Sequence, residues 1–425
     1  MPPGAGGRRV IRPNALNLYR AVTGLLEPIA PALLTHRARR GKEDLARLDE
    51  RLGKSKALRP DGPLVWLHGA SVGESLSILP LVERLRAEKP KVTVLVTSGT
   101  TTSAALLAQR LPQGAIHQYL PVDAPSAAKR FMAQWRPSLA VFVESELWPN
   151  LLLEAKAAGT RLALVSAKLS DRSFARWSQR FDAARQLLAS FDLILAQDAR
   201  AQARFEALGG KVAGEADLKF GAAPLPVDPA ALAVERERFP VAPLLIASTH
   251  PGEDEIALDT IASLSDRPGV ILAPRHVERG PAIMTLAKAR GLSASLRSQS
   301  PGQPADIVIA DTLGEMGLWF RLARTSVVAG SLVPDIGGHN PLEAARLDCP
   351  AISGPFVENW ASAYAGLEAI GGVVMTPPTG LTQAIAADLV APEAARARAA
   401  RARDFVDRRD QEARAGLSRI LELAP

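Results

Sequence analysis

The sequence predicts an α/β protein built from two doubly wound, Rossmann-like halves, each a parallel sheet covered by helices. From residue 64 onward, short apolar runs alternate with longer helix-like segments. The apolar runs are continuous rather than alternating, which is typical of strands buried on both faces. A proline-rich stretch at 222–243 separates two such series. A length of 425 residues also suits about two domains.

Six predicted strands fall in each half. In the first half they are residues 64–68, 92–97, 116–120, 139–144, 161–165 and 193–197. In the second half they are residues 244–248, 270–274, 307–310, 326–330, 351–353 and 372–375. Helices are predicted between them, for example at 74–88 and 124–135, and one or two closing helices at 392–423.

The predicted domain organisation follows from this alternation. Residues 1–60 form a basic, membrane-proximal segment, 61–221 the first Rossmann-like domain, 222–243 a linker, and 244–425 the second Rossmann-like domain with its closing helices. Ligands of such sheets bind beyond the carboxyl ends of the strands. We therefore expect the two domains to face each other across a ligand-binding cleft.

The net charge of +7 is concentrated near the N-terminus. Between Arg8 and Arg59 there are 13 Lys/Arg and 5 Asp/Glu, a surplus of 8, so the rest of the chain is nearly neutral. This segment suits an anionic lipid surface or another anionic ligand, or it is a solvated basic face without a specific partner. Nucleic acid is not the expected partner, because aromatics for base stacking amount to only 5%.

Residues 15–34 are the one candidate membrane segment. Apolar residues recur there at helical spacing, namely Leu16, Tyr19, Val22, Leu26, Ile29 and Leu33. Charged residues and two prolines interrupt the stretch, whereas a spanning helix needs about 20 mostly apolar residues. The pattern favours an interfacial segment backed by Arg37, Arg39, Arg40 and Lys42. The alternative is a helix packed on the protein's own core.

Cysteine and histidine patterns exclude two classes of site. The single cysteine, Cys349, rules out an intrachain disulfide and suits a reducing compartment. The six histidines show no metal-ligand spacing, so neither a metal nor a cofactor is expected. There is also no Gly-x-Gly-x-x-Gly after a strand and no Gly-Lys-Ser/Thr, which disfavours dehydrogenases and P-loop phosphotransferases.

Four charged residues of the first half follow predicted strands or glycine-containing loops. Glu74 opens a helix, where it is either an ionised general base or a capping residue paired with Ser71. Of Glu144 and Glu146, which follow the fourth strand, one is a candidate site carboxylate, and strand alternation does not choose between them. Lys219, near the end of this half, is able to neutralise charge on a departing phosphate, or is simply a surface residue.

The second half carries three loops suited to a nucleotide. Pro274 and Arg275 follow a strand, and arginine suits phosphate recognition. A strand-to-helix turn with exposed amides contains Leu313, Gly314 and Glu315. A third loop has Gly337 and Gly338, which permit close approach to a ligand, and then Asn340, Pro341, Leu342 and Glu343. Glu343 can accept hydrogen bonds from ribose hydroxyls, or it caps its helix together with Asn340.

Taken in order, these segments resemble the 3-deoxy-D-manno-octulosonic acid (Kdo) transferases of Gram-negative lipopolysaccharide synthesis. The resemblance runs from about residue 16 to the final helix and includes residues 70–74, 119–123, 144–150, 218–220, 247–253, 274–276, 311–315 and 330–343. It implies the GT-B glycosyltransferase fold, CMP-Kdo as donor and the lipid A precursor as acceptor. It also implies inversion without a metal, at the cytoplasmic face of the inner membrane, with peripheral or weak anchoring.

The same resemblance implies roles for the candidate residues. Glu74 matches the family's general base, and Glu144 and Lys219 match residues thought to stabilise the transition state. Pro274 with Arg275, residues 313–315 and residues 340–343 match the segments that contact CMP. Two other hypotheses stay open, namely another GT-B transferase or nucleotide-sugar epimerase, and a non-catalytic binding protein at a membrane surface. The segments around Glu74 and Trp148 favour the Kdo transferase over the first, and the presence of both Glu74 and Glu144 favours it over the second.

Overall fold

The computed structural model describes residues 15–221, 223–265, 267–299 and 305–425. Contacts divide the chain into two compact units. The first holds the described residues before 222 together with 409–425, and the second holds 223–408. Residues 1–14 of the predicted basic segment lie outside the described residues.

The first unit is built on a six-stranded parallel sheet. The strands, in chain order, are β1 (Leu64–His68), β2 (Thr93–Ser98), β3 (Ile116–Tyr119), β4 (Leu139–Val143), β5 (Arg161–Ala167) and β6 (Leu193–Ala196). Their order across the sheet is β3-β2-β1-β4-β5-β6, so the direction of winding reverses between β1 and β4. Loops that follow β1 and β4 therefore lie on either side of a switch point, where doubly wound sheets bind ligands.

Eleven helices belong to the described part of the first unit. They are α1 (Ala15–Leu26), α2 (Ala30–Ala38), α3 (Leu48–Arg51), α4 (Val72–Ser77), α5 (Leu79–Glu88), α6 (Thr101–Arg110), α7 (Pro125–Trp135), α8 (Pro149–Ala157), α9 (Asp171–Ser178), α10 (Phe181–Leu188) and α11 (Ala199–Ala207). Side chains cap several of them, as Thr100 caps α6 and Asp198 caps α11. The helices bury both faces of the sheet, and β1 and β4 are buried along their whole lengths.

The second unit contains a seven-stranded parallel sheet. Its strands are β7 (Leu244–Thr249), β8 (Val270–Pro274), β9 (Ala294–Leu296), β10 (Ile307–Ile309), β11 (Thr325–Val328), β12 (Ala351–Ser353) and β13 (Val374–Met375). The order across the sheet is β13-β12-β11-β7-β8-β10-β9, which places its switch point between β7 and β11. The edge strand β9 is not predicted from the sequence, since Ala-Ser-Leu is too short and too polar to stand out as an apolar run.

The helices of the second unit follow its strands, except α12, which precedes β7. They are α12 (Pro229–Arg238), α13 (Glu253–Ser263), α14 (Gly280–Ala289), α15 (Met316–Leu322), α16 (Leu342–Arg346), α17 (Ala361–Ala369), α18 (Leu381–Val390) and the first part of α19 (Pro392–Leu423). The proline-rich stretch predicted as a linker thus contains a helix, α12. Its first residue is a proline, and Asp228 caps the N-terminus of the helix. Proline is well tolerated at that position, so its presence does not exclude a helix.

Two predicted helical regions differ from the structure. The region predicted as one helix at 74–88 is divided into α4 and α5 at Ile78, because Pro80 lacks the amide that a continuous helix requires. The region at 392–423 is a single 32-residue helix. The chain from Arg409 onward belongs to the first unit, and not to the second domain as the range 244–425 predicts. Leu417, Ile420 and Leu421 are buried in the first unit's core, which accounts for this return.

The N-terminal segment packs on the first unit through one side only. Leu16 is buried in the core, and Tyr19 donates a hydrogen bond to Asp123 (2.9 Å). An ion pair joins Arg130 to Glu27 (3.1 Å), beside the short 3-10 turn Glu27–Ile29 that separates α1 from α2. The predicted apolar stripe is therefore divided: its first residues face the core, whereas its later residues are exposed. None of the helices among the described residues is both long and apolar enough to span a bilayer.

Candidate functional site

Glu74 lies in the first turn of α4, directly after β1. Its carboxylate accepts hydrogen bonds from the Ala70 amide (2.7 Å) and the Ser71 hydroxyl (2.9 Å), and the Ser71 oxygen accepts from the Glu74 amide (3.3 Å). The capping contacts considered from the sequence are thus present. They do not exhaust the carboxylate, which has about four lone-pair positions. Among the described residues Glu74 has no ion-pair partner.

The surroundings of Glu74 disfavour its ionised form. Burial raises the pKa of Glu74 above its ordinary value, and the negative charges of Glu144 and Glu146 raise it further, against the opposing hydrogen bonds from Ala70 and Ser71. A carboxylate with a raised pKa is a stronger base than an ordinary one once it is ionised. This is the property that a proton acceptor near neutral pH requires.

Glu144 follows β4 on the other side of the switch point. Its amide continues the ladder to the carbonyl of Val165 (3.0 Å), but its φ of +62° is rare for a residue with a side chain. One carboxylate oxygen lies 2.6 Å from Nζ of Lys168, and the other lies 3.1 Å from Nζ of Lys219. Strained backbone of this kind is often held at functional sites. At Glu144 the strained backbone carries a buried carboxylate that has two ammonium partners.

Glu146 occupies a different environment. It accepts hydrogen bonds from His68 (3.1 Å) and from the indole of Trp148, while His68 also contacts the Thr97 hydroxyl (2.9 Å). Burial opposes ionisation, but the hydrogen bonds from His68 and Trp148 and the charge of His68 hold the pKa of Glu146 below its ordinary value. Glu146 thus joins β1 to the loop after β4, and Glu144 is the carboxylate that contacts the lysines.

The Lys219 loop is fixed by buried polar groups. Asp217 accepts hydrogen bonds from the Lys219 amide (3.1 Å) and from Gln197 (3.0 Å), and the Ser166 hydroxyl accepts from the Leu218 amide (2.9 Å). Burial raises the pKa of Asp217, against the hydrogen bond and charge of Lys219. The first unit therefore brings Glu144 into contact with Lys219, and places Glu144 close enough to Glu74 to raise the pKa of Glu74.

The second unit has its own cluster at the switch point between β7 and β11. The imidazoles of His250 and His339 are stacked, with 5.0 Å between ring centroids and 2.9 Å between their Nε2 atoms. Burial, the neighbouring His250 and the charge of Arg275 lower the pKa of His339 to about 4. Arg275 is exposed beside this pair, where β8 ends at Pro274. The cluster thus presents an exposed guanidinium beside two stacked imidazoles.

The loop at 313–315 is exposed at Leu313 and Gly314, whereas the Glu315 side chain is already hydrogen-bonded. Leu313 is 80% exposed and Gly314 has a φ of +85°, but Glu315 accepts hydrogen bonds from Arg297 (3.1 Å) and from Thr312. A ligand at this loop would therefore meet mainly its amides and the Leu313 side chain.

The loop after β11 is held in a similar way. The Asn340 side chain accepts a hydrogen bond from the Leu342 amide (3.0 Å), and the Leu342 side chain lies in the core. Pro341 is also buried and forms the N-cap position of α16. Burial raises the pKa of Glu343, against the nearby Asn340. Both the capping role and a free carboxylate are compatible with this geometry, because Asn340 donates only a long hydrogen bond (3.4 Å) to Glu343.

Close contacts within the protein itself account for the presence of glycine at positions 337 and 338 of this loop. A Cβ on Gly337 would lie 2.5 Å from the Asn359 amide nitrogen, and one on Gly338 would lie 2.9 Å from the Val357 backbone. Both residues also have positive φ. These glycines thus allow the loop to approach the protein's own segment 356–359, and their predicted role in close approach to a ligand stays a prediction.

Several residues of these clusters are not among the predicted site residues. Lys168, His250 and His339 follow strands, the same signal that identified Glu144 and Arg275. Glu253 is fully buried and accepts hydrogen bonds from the amides of Gly330 (2.8 Å) and Leu332 (2.9 Å). It therefore fixes the loop after β11 against α13. Within the described residues, no group of three or more His, Cys, Asp or Glu has the arrangement of a metal site.

Known proteins resemble the chain at the level of sequence. A family model described as 3-deoxy-D-manno-octulosonic-acid transferase (kdotransferase) matches residues 46–222. The 3-deoxy-D-manno-octulosonic acid transferase of Rickettsia bellii is 38% identical over 347 residues, which cover 80% of this chain and 82% of that protein. The enzyme of the same name from Bordetella pertussis is 34% identical over 348 residues, covering 77% of this chain and 80% of that protein.

Solved structures resemble the chain at the level of the fold. MurG from Acinetobacter baumannii matches with a TM-score of 0.56 at 12% identity, over 85% of this chain and 100% of that one. A glycosyltransferase from Rickettsia africae matches with a TM-score of 0.54 at 12% identity, over 86% and 99%. The predicted α/β class, with two Rossmann-like domains of the GT-B type, is confirmed. Together with the sequence relatives, this shows that the chain belongs to the family of Kdo transferases of lipopolysaccharide biosynthesis and is a glycosyltransferase.

Proposed function

We propose that this protein transfers Kdo from CMP-Kdo to the lipid A precursor lipid IVA, with inversion at the anomeric carbon and without a bound metal. The observation that carries the proposal is the cluster at the first unit's switch point, where Glu74 neighbours Glu144 and Glu144 is paired with two lysines. Membership of the Kdo transferase family identifies the transferred sugar as Kdo. The cluster contains side chains suited to accept a proton and to stabilise charge during the transfer.

The acceptor side of the reaction requires a base. A sugar hydroxyl loses its proton as it attacks the anomeric carbon, and Glu74 is suited to accept that proton because its pKa is raised and it has no ion-pair partner among the described residues. Glu144 is unsuited to that task because two ammonium groups engage its oxygens. One base and one attacking hydroxyl give a single displacement, and a single displacement inverts the anomeric centre.

The donor side of the reaction requires positive charge. Cleavage of the bond to CMP leaves charge on a phosphate, and fixed cations and helix N-terminal amides are able to stabilise it. Lys219 and Arg275 are the predicted cations, and residues 313–315 and 340–343 are the predicted CMP-binding segments. Exposed amides near Gly314 and the partly buried Glu343 suit a phosphate and a ribose, respectively. In this proposal, cationic side chains and backbone amides stabilise the negative charge that develops on the phosphate.

Purified protein incubated with CMP-Kdo and lipid IVA tests the proposal directly. We expect release of CMP together with a lipid product heavier by one or more Kdo residues, measured by mass spectrometry. NMR of the product gives the anomeric configuration, which should be inverted. Absence of a Kdo-bearing lipid under conditions in which a Kdo transferase of known activity turns over would refute the proposal. Unchanged turnover after exhaustive treatment with a chelator is expected as well.

We also propose that the protein binds the cytoplasmic face of the bacterial inner membrane peripherally, through the N-terminal segment. Six large apolar side chains of α1, α2 and the turn between them are at least 46% exposed, and we call them the apolar face: Leu18, Val22, Leu25, Leu26, Ile29 and Leu33. Arg39, Arg40 and Lys42 are exposed just beyond it. An apolar face flanked by cations suits the interface of an anionic bilayer, where lipid IVA would be met.

Replacing Leu18, Leu25 and Leu33 together by serine is expected to weaken binding to vesicles that contain anionic phospholipid by roughly 100-fold, at about 1 kcal/mol for each partly buried leucine. Vesicle co-sedimentation measures this. Leu58→Ser is the matched control, because Leu58 is 89% exposed and lies outside the apolar face. Equal sedimentation of the triple variant and the control would contradict the assignment. The melting temperature should stay the same, since all three leucines are exposed in the folded protein.

A further inference from the structure

Lys168 occupies a fixed position at the carboxyl end of β5. Its carbonyl accepts a hydrogen bond from the Ser145 hydroxyl (2.8 Å), which ties it to the loop after β4. The pairing of β5 with β6 shifts register between Leu164 and Ala167, and Ser166 has a φ of +48°. Irregularities of this kind redirect the side chains that follow them. The Lys168 side chain reaches Glu144 at 2.6 Å, although 40% of that side chain is exposed.

The two lysines engage opposite oxygens of one carboxylate. Lys168 contacts Oε2 and Lys219 contacts Oε1, so each oxygen of the Glu144 carboxylate has its own ammonium partner. The Glu144 side chain is only 10% exposed, which strengthens both interactions relative to a surface pair. One carboxylate with two ammonium groups leaves a net charge of +1 in this trio. Removing Lys168 would reduce that charge to zero.

Glu74 ionises within the field of these charges. The charged groups that act on Glu74 directly are Glu144 and Glu146, both after β4. Behind them, Lys168 and Lys219 contact Glu144, His68 contacts Glu146, and Asp217, which is buried beside Lys219, accepts a hydrogen bond from the Lys219 amide. Of the two carboxylates that raise the pKa of Glu74, Glu144 has the larger effect, and the compensation of its charge depends on its two lysines.

We propose that Lys168 is a positioning residue of the catalytic site, which acts through Glu144 to make ionisation of Glu74 less costly. By holding one oxygen of Glu144, it fixes the carboxylate and offsets part of the negative charge that opposes a second carboxylate nearby. The inference rests on the proposed function, in which Glu74 is the base. It assigns a role to a lysine that a search for catalytic acids and bases alone would pass over.

The direct test is the pKa of Glu74, read by ¹³C NMR of protein labelled with [¹³C]glutamate and assigned with Glu74→Gln. Lys168→Met is expected to raise this pKa by roughly half a unit to one unit, less than the 1–3 units typical of a direct ion pair. Lys168→Arg should restore it. Lys156→Met is the matched control, because Lys156 pairs with Asp192 (3.1 Å) on the surface of the same unit. An unchanged pKa in folded Lys168→Met protein would overturn the inference.

The route through Glu144 has its own test. Glu144→Gln removes a negative charge and should lower the pKa of Glu74. Adding Lys168→Met to Glu144→Gln should then produce no further shift, because the flexible lysine loses its anchor. Shifts that simply add would show that Lys168 acts on Glu74 without Glu144, and would overturn the stated mechanism.

Kinetics separate this inference from the proposed function. The acid limb of the pH profile of kcat/KM should move upward in Lys168→Met by the same amount as the pKa, and return in Lys168→Arg. A wild-type protein that transfers no Kdo refutes the proposed function, while the NMR titration still decides the role of Lys168. A uniform loss of kcat at every pH, with an unchanged acid limb, would show a merely structural role.

Discussion

Glu74→Gln is expected to lower kcat for Kdo transfer by about 10³-fold, within the range of about 10²–10⁴ for a general base. Glutamine keeps the size of the side chain and its ability to accept from the Ala70 amide, so α4 should remain capped. It cannot accept the proton of the acceptor hydroxyl. The affinity for CMP, measured by calorimetry, should be nearly unchanged, because the predicted CMP-binding segments all belong to the second unit.

Glu83→Gln is the matched control for that variant. Glu83 is an exposed glutamate on α5, the helix that follows α4, so the substitution changes charge without touching the site. Full activity is expected there. Retention of more than about a tenth of wild-type turnover in Glu74→Gln would exclude Glu74 as the base, since such a loss is smaller than general base catalysis provides.

The pH dependence of the wild-type protein follows from the same residue. The carboxylate of Glu74 is the active form, and burial together with the charge of Glu144 raises its pKa. Activity should therefore rise with pH through this raised value and fall at lower pH, with an acid limb above the ordinary glutamate range. The limb should be absent from the residual activity of Glu74→Gln.

Much of the fold is predictable because continuous apolar runs mark strands buried on both faces. All strands predicted from such runs are present, with ends that differ by one or two residues in most cases. The failures have local causes. The three-residue edge strand Ala294–Leu296 has no apolar run to reveal it, and Pro80 divides a helix whose periodicity continues across the break. The return of α19 to the first unit depends on long-range burial of Leu417 and Ile420, which periodicity does not encode.

The site is less predictable, because its chemistry depends on which loops meet. Sequence spacing leaves Glu144 and Glu146 equivalent, whereas the structure places Glu144 against two lysines and Glu146 against His68. Only the strand order reveals that the loops after β1 and β4 adjoin one switch point. Glu253 illustrates the same limit, since its partners lie 77 and 79 residues away in the sequence. The residue roles themselves stay predictions until variants are measured.

Lys219→Ala is expected to lower kcat by about 10²-fold to 10³-fold, the loss that typically follows removal of one group that stabilises transition-state charge. The ammonium is held by Glu144 at 3.1 Å, and its side chain is only 17% exposed, so bulk water is a poor substitute for it. The loop should persist, because the amides of Leu218 and Lys219 keep their hydrogen bonds to Ser166 and Asp217. Single-turnover kinetics at saturating substrates measure the loss.

Chemical rescue distinguishes charge stabilisation from a general loss of structure. A small alkylammonium ion such as ethylammonium should restore part of the turnover of Lys219→Ala, with saturation, because the truncation opens space beside Glu144 for a cation. Lys219→Arg should be intermediate, since guanidinium keeps the charge but not the geometry of an ammonium. Failure of rescue together with a lowered melting temperature would assign Lys219 a structural role.

Substitution of Lys168 and substitution of Lys219 should therefore change the pH profile of activity in different ways, although both side chains contact Glu144. Loss of Lys168 changes the proton affinity of Glu74, so activity at high pH, where Glu74 is ionised in either case, should be nearly normal. Loss of Lys219 removes charge that the transition state needs, so the plateau at high pH should itself fall. Lys219→Ala should also move the acid limb upward, because Glu144 loses one of its two cations. A plateau that falls equally in both variants would show that the two ammonium groups act as one charge.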